Sequence, residues 1–253
     1  IGSLFIFLFK EKANLISIGS ILISLFILLF ITNNVDYVYK SSLASINYFS
    51  YSKLAYLFCL VFLIMGLIGK LFSIYRDSYK EKAMVLMYIS SAIFVLFSGD
   101  FLTLYVFWEI MAIASTMVIW SSNSDKSLSA GNRYLIMHLL GGLILLLGII
   151  GLYIDTNNLQ IRLLNLDTWY NWMILIGFLL NAGAPPFSQW IPDAYPEGSY
   201  SSTVFLSAYT TKTSVFILIV TFAGSHVLML IGIYMIMYGI IYALLENDIR
   251  RIL

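Results

Sequence analysis

Apolar residues fall along this chain in long blocks separated by short polar interruptions. A bilayer core takes about 20 such residues per helix. The blocks predict spans at 13–32, 54–74, 83–98, 100–120, 134–153, 170–191, 202–223 and 226–245, with a stub at 3–9. Ser98-Gly99-Asp100 is the polar break in one very long apolar run and predicts a tight turn between two helices. Gly224-Ser225-His226 predicts a second. The first residue is Ile, and IGSLFIFLF reads as the tail of a span already under way, so the chain reads as part of a longer one. The expected fold class is an all-α membrane protein, a polytopic helix bundle.

One block departs from the others. The stretch WYNWMILIGFLLNAGAPPFSQWIPDAYPEG is apolar enough to span, yet it holds Pro185, Pro186 and Pro192. Proline removes a backbone donor and disrupts the helix interior. Broken backbone at membrane depth must be covered by protein or line a wet cavity. Helical geometry is therefore expected to fail within 183–192 while the neighbouring spans stay continuous. A proline kink serving only packing is the plainer alternative; discontinuous helices at transporter ion sites are the sharper one.

Composition supports lipid as the solvent: 60% of the 253 residues are hydrophobic, 11% are charged, and mean hydropathy is +0.90. Soluble domains carry about 25% charged residues. With loops on alternating sides, one side collects Lys10, Lys12, Lys70, Arg76, Lys80, Lys82, Lys126, Arg133, Arg250 and Arg251. The other holds only Lys40, Lys53 and Arg162. Ten against three assigns the first side to the cytoplasm. Net charge is +1, which favours no nucleic-acid partner. The single cysteine, Cys59, excludes an intramolecular disulfide, and two histidines make haem ligation a poor reading. No Walker sequence, GxGxxG after a strand, HExxH or CxxC occurs, so no cofactor and no metal are expected.

The chemistry lies in charges placed where they cost most. Glu109 sits mid-span in FLTLYVFWEIMAIASTMVIW, and Lys212 sits mid-span in STVFLSAYTTKTSVFILIVTF. Each costs about 2.5–3.5 kcal/mol to bury in a bilayer on insertion scales. Facing one another they would offset that cost and couple their proton affinities. A purely structural ion pair is the alternative, although an apolar pair often serves stability as well. His138, about one turn inside its span, is a candidate proton relay or simply an interfacial residue. Gly141-Gly142 beside it suits close helix packing. Ser207, Thr210, Thr211 and Thr213 offer hydroxyls around Lys212.

Two segments carry a resemblance. GDFLTLYVFWEIMAIAS resembles the fifth membrane helix of the proton-conducting antiporter-like family. NAGAPPFSQWIPDAYPEGSYSSTVFLSAYTTKTSVFIL resembles that family's broken seventh helix followed by its eighth. The family includes the D-type and A-type subunits of Mrp-type Na+/H+ antiporters and the pumping membrane subunits of respiratory complex I. The DAYPE run looks more like the D-type antiporter chain than the complex I members.

The resemblance covers about 80–253 and implies about fourteen helices in two inverted five-helix repeats, of which this chain holds the first half. It divides the chain into N-terminal helices (1–82), a first repeat (83–223) and the start of a second (224–253). It makes Glu109 the helix-five glutamate and Lys212 the central helix-eight lysine. By this resemblance, family members usually have a lysine on the first broken helix where this chain has Asn181, and an amide cannot carry a proton at neutral pH. The expected function is proton/cation translocation in a larger complex of membrane subunits, in a bacterial inner membrane, exchanging protons and possibly Na+. The enzyme-class rival is a membrane subunit of an NADH:quinone oxidoreductase, and Asn181 motivates a degenerate scaffold as a third reading.

Overall fold

The computed structural model describes residues 1–30, 36–40 and 45–252. It is a helix bundle in which side-chain N-caps mark where half of the α-helices begin. The N-terminal helices are α1 (Gly2–Leu8), then a 3-10 turn over Lys10–Lys12, and α2 (Ala13–Phe30). Next come strands β1 (Asp36–Lys40) and β2 (Ser45–Ser50), followed by α3 (Lys53–Ser73), α4 (Tyr79–Phe97), α5 (Phe101–Trp120) and α6 (Asp125–Thr156). The remainder comprises α7 (Trp169–Ala182), α8 (Trp190–Ala194), α9 (Tyr200–Ala208), α10 (Thr210–Phe222), α11 (His226–Leu245) and α12 (Ile249–Ile252). Side-chain oxygens of Ser52, Ser78, Asp100, Ser124, Ser199 and Ser225 each accept the amide three residues on. Those amides have no partner within the helix.

Among the described residues six helical segments are long and apolar enough to cross a membrane: Lys10–Phe30, Lys53–Ser73, Phe101–Trp120, Asp125–Thr156, Tyr200–Phe222 and His226–Leu245. The protein is an integral membrane protein. α4 opens on Lys80, Glu81 and Lys82, and α7 has only 14 residues, so neither stands out by this measure. Yet α4 is the centre of the bundle: Ala83, Val85, Tyr88, Ala92 and Val95 are all fully buried. α11 has no buried residue at all.

The helix bundle is as expected, and β1 and β2 add a short antiparallel hairpin before α3. Two expected spans change. α6 starts nine residues before the expected 134, since Ser124 and Ser127 form a reciprocal capping box that lets the polar stretch coil. The block at 170–191 stops being helical after Ala182, where the expected break within 183–192 begins. The span expected at 202–223 is not continuous, being interrupted at Tyr209. Residues 31 and 32, the end of the expected 13–32 span, lie outside the described residues.

Loops gather at two ends. At one, the Asp100 carboxylate accepts the Asn47 amide (2.7 Å), the Thr103 amide (2.7 Å) and the Thr103 hydroxyl (3.0 Å). Around it, the Gly99 amide donates to Asn47 O (3.1 Å), the Phe101 amide to Leu159 O (2.8 Å) and the Ile161 amide to Gly99 O (3.1 Å). At the other end, Ser199 donates to Glu81 (2.5 Å), Ser201 to Asp77, Ser122 to Glu197 O (2.9 Å) and Arg250 to Gly198 O (2.7 Å). The loops rich in basic residues thus share one end of the bundle.

Candidate functional site

The break in the seventh span begins at a glycine before any proline is reached. Gly183 takes φ +75°, a left-handed conformation that glycine adopts without strain. The Ala184 amide then folds back onto Leu179 O (3.0 Å), which closes α7. Pro185 and Pro186 follow and prevent the ladder from resuming, a 3-10 turn covers Phe187–Gln189, and α8 starts at Trp190. Pro192 does not break anything. It stands in the first turn of α8, where its missing amide has no partner to lose.

Two contacts seat the re-entering segment against its neighbours. Trp190 donates its indole N–H to Leu180 O (3.1 Å), the carbonyl end of α7. Arg133 of α6 grips Asp193 through two parallel hydrogen bonds, Nε to Oδ2 (2.7 Å) and Nη2 to Oδ1 (2.8 Å). The bidentate geometry sets the orientation of α8 as well as its distance.

α6 then presents three successive turns to this segment and to α5. Tyr134, His138 and Gly142 are four residues apart and so share a face. The His138 ring is almost fully buried, 4.1 Å from the Tyr134 ring and 4.7 Å from Trp190, centroid to centroid. Its polar neighbour is Asn181, near the C-terminus of α7, whose amide also lies 3.4 Å from Gly177 O. The His138 Nε2 atom is buried without a hydrogen-bond partner.

One turn further on, Gly142 leaves the space that Glu109 occupies. A Cβ added to Gly142 would overlap Glu109 Oε1. The adjacent Gly141 faces the other way, with its absent Cβ 3.3 Å from Asn181 Nδ2. The glycine pair therefore brings α6 close to α5 and α7 at once. Glu109 is half-buried, and its Oε1 atom is buried without a partner. Unsatisfied buried polar atoms are rare enough to need a reason, and proton exchange is one.

Glu109 and Lys212 do not form an ion pair. Among the described residues the ion pairs are Arg133–Asp193 and Arg251–Glu246, and the Lys212 ammonium instead donates to Ser207 O (2.5 Å) on an exposed face of α10. Both charges stand mid-span, as the apolar pattern predicts, but they do not face one another. Helix periodicity places a residue along an axis, and it does not say which neighbour its face meets.

A group of buried hydroxyls has no counterpart among the sequence expectations. Tyr88, Ser115, Tyr134 and Thr210 come from α4, α5, α6 and α10 and meet in the bundle interior. Tyr134 donates to Ser115 (2.9 Å), Thr210 lies 3.4 Å from Tyr134, and Tyr88 bonds both the hydroxyl and the amide of Thr210. With 18 tyrosines in the chain, nothing in the sequence sets Tyr88 or Tyr134 apart from interfacial ones.

The family described as NADH:quinone oxidoreductase/Mrp antiporter, TM, matches residues 98–253. The chain is 28% identical to an uncharacterized protein of Methanocaldococcus jannaschii, across 66% of this chain and 39% of that protein. It is 27% identical to the A-type chain of the Na(+)/H(+) antiporter of Alkalihalophilus pseudofirmus, across 79% of this chain and 28% of that one. It superposes with a TM-score of 0.84 on a chain of respiratory complex I from Thermus thermophilus, at 18% identity, covering 99% of this chain and 58% of that one. The chain thus spans well under half the length of these curated relatives.

Proposed function

Because the chain belongs to the NADH:quinone oxidoreductase/Mrp antiporter transmembrane family, we propose that it translocates protons, in exchange for a second cation, as one component of a multisubunit Na+/H+ antiporter. The observation that carries this reading is the carboxylate of Glu109, held beside Gly142 with Oε1 unpartnered and one α6 turn from the unpartnered Nε2 of His138. In this reading protons enter from the basic end by way of His138 and reach Glu109. They leave by way of Lys212 toward the second repeat, and 83–223 forms the first. The reading as a D-type chain, as against a complex I member, rests on the Asp193-Ala194-Tyr195-Pro196-Glu197 run alone.

The test is ion-driven proton transport in vesicles carrying the assembled complex. Glu109→Gln and Lys212→Ala are each expected to reduce transport at least tenfold while the complex still assembles. Near-normal transport in either variant would sink the mechanism and leave the scaffold role suggested by Asn181. A second reading, a proton-pumping membrane component of a quinone reductase, draws on the superposition with the complex I chain. Proteins that co-purify with this one separate the two: small antiporter subunits for the first, iron–sulfur subunits for the second.

A further inference from the structure

The interruption at Tyr209 is held by two neighbouring helices, α3 and α4. Tyr209 itself (φ −114°, ψ −66°) lies between α9 and α10. Its hydroxyl donates to Phe62 O of α3 (2.8 Å), in space that Gly66 leaves open: a Cβ there would lie 2.8 Å from that oxygen. The next amide, that of Thr210, donates to the Tyr88 hydroxyl of α4 (2.9 Å) and so leaves the helical ladder. Tyr88, which accepts the Thr210 amide, also bonds Thr210 Oγ1, and Thr210 Oγ1 lies 3.4 Å from the Tyr134 hydroxyl; Tyr134 donates to Ser115, and Ser115 to Met111 O and Ala112 O. The run ends on backbone carbonyls and ties α4, α5, α6 and α10 together at this point. Beyond the interruption, the Lys212 side chain reaches back to Ser207 O, a carbonyl in the last turn of α9.

We propose that Tyr88 is a positioning residue for Lys212: by capturing the Thr210 amide it keeps α9 from running straight into α10 and holds the Ser207 carbonyl within reach of the lysine ammonium. The inference rests on the reading of Lys212 as a transport group and adds a residue on another helix through which that group is set. The titratable groups around Tyr88 are phenols, namely Tyr134 of α6, Tyr209 at the interruption and Tyr195 before α9. Among the described residues no charged side chain faces Lys212, so the Ser207 carbonyl is the polar group that stabilises the ammonium. Removing an acceptor from a charged donor makes the proton easier to lose.

The experiment uses Tyr88→Phe in the assembled complex, which keeps the buried ring and deletes only the hydroxyl. The alkaline limb of the transport–pH profile is expected to move down by about one pH unit, a tenfold change in proton affinity. Amide hydrogen exchange in 207–212 is expected to change together with it. Thr210→Val keeps the amide bond to Tyr88 and is expected to keep the wild-type limb. A wild-type profile and wild-type exchange in Tyr88→Phe would overturn the proposal. If exchange changes in Tyr88→Phe but Lys212→Ala transports normally, the transport role of Lys212 fails while the positioning geometry stands. Should Tyr88→Phe not assemble, 3-fluorotyrosine at position 88 preserves the ring and weakens the acceptor; an unmoved limb and unmoved exchange there would equally overturn the proposal.

Discussion

At Gly142 one missing methyl group decides whether a carboxylate fits between two helices. The absent Cβ would overlap Glu109 Oε1, far inside any contact distance. Gly142→Ala is therefore expected to displace Glu109 and to lower vesicle transport about as far as Glu109→Gln does. Gly239→Ala in α11, where a Cβ meets nothing within 4 Å, is expected to transport normally and serves as the control. If Gly142→Ala transports normally, the seat is not where Glu109 works. The glycine pair is legible in the sequence as a close-packing signal, and Glu109 as a costly mid-span charge. That Gly142 serves Glu109 while Gly141 serves Asn181 is not legible, because it depends on the direction each helix face takes once α5 and α7 are in place.

The broken segment shows how a sequence signal can name the right place for a partly different reason. Three prolines draw attention to 183–192, but the turn is made by Gly183, and Pro192 is an ordinary first-turn residue of α8. Gly183→Ala has to hold φ +75° with a Cβ pressed against Ile191 Cδ1. The left-handed conformation alone costs about 1–2 kcal/mol, so the variant complex is expected to lose thermal stability clearly in an aggregation assay. Arg133→Gln removes a clamp whose partners are 54% and 34% exposed. Its stability cost is expected to be about 1 kcal/mol or less, with faster hydrogen exchange confined to 187–194 as its signature. Equal exchange in wild type and variant would show that Trp190 alone seats α8. The interruption at Tyr209 has no proline or glycine to announce it: the residues that hold it, Phe62, Gly66 and Tyr88, come from other helices. Long-range hydrogen bonds of this kind leave no local pattern.

For the whole molecule, apolar block length locates nearly every crossing, and charge asymmetry groups the loops that the structure brings to one end. The strand pair β1–β2 escapes that reading because it lies between spans and belongs to neither, and its tie to the bundle is through Asn47. Sidedness is tested by cysteine labelling in a Cys59-free background. Ser78 and Ser124 are exposed but act as N-caps, whose loss costs about 1 kcal/mol, so Tyr75 (98% exposed) and Lys126 are the better positions. Cysteines there are expected to react only with reagent applied from the cytoplasmic side, and a cysteine at Leu163 only from the opposite side. Labelling in the reverse sense would overturn the orientation.

The Asp100 knot has a further consequence for how the protein comes into being. Its strands of chain are Asn47, Gly99–Asp100 and Leu159–Ile161, so its last participant is made some sixty residues after Asp100. During synthesis the hairpin and the α4–α5 corner reach the far side of the membrane first and must wait there. Only when α6 has crossed do Leu159 and Ile161 arrive to supply a carbonyl and an amide. A ribosome stalled before that point is expected to display an Asn47 region open to protease, and one stalled well beyond α7 a protected one. On that order of synthesis, the knot is expected to be the last tie made at this end of the bundle among these three stretches of chain.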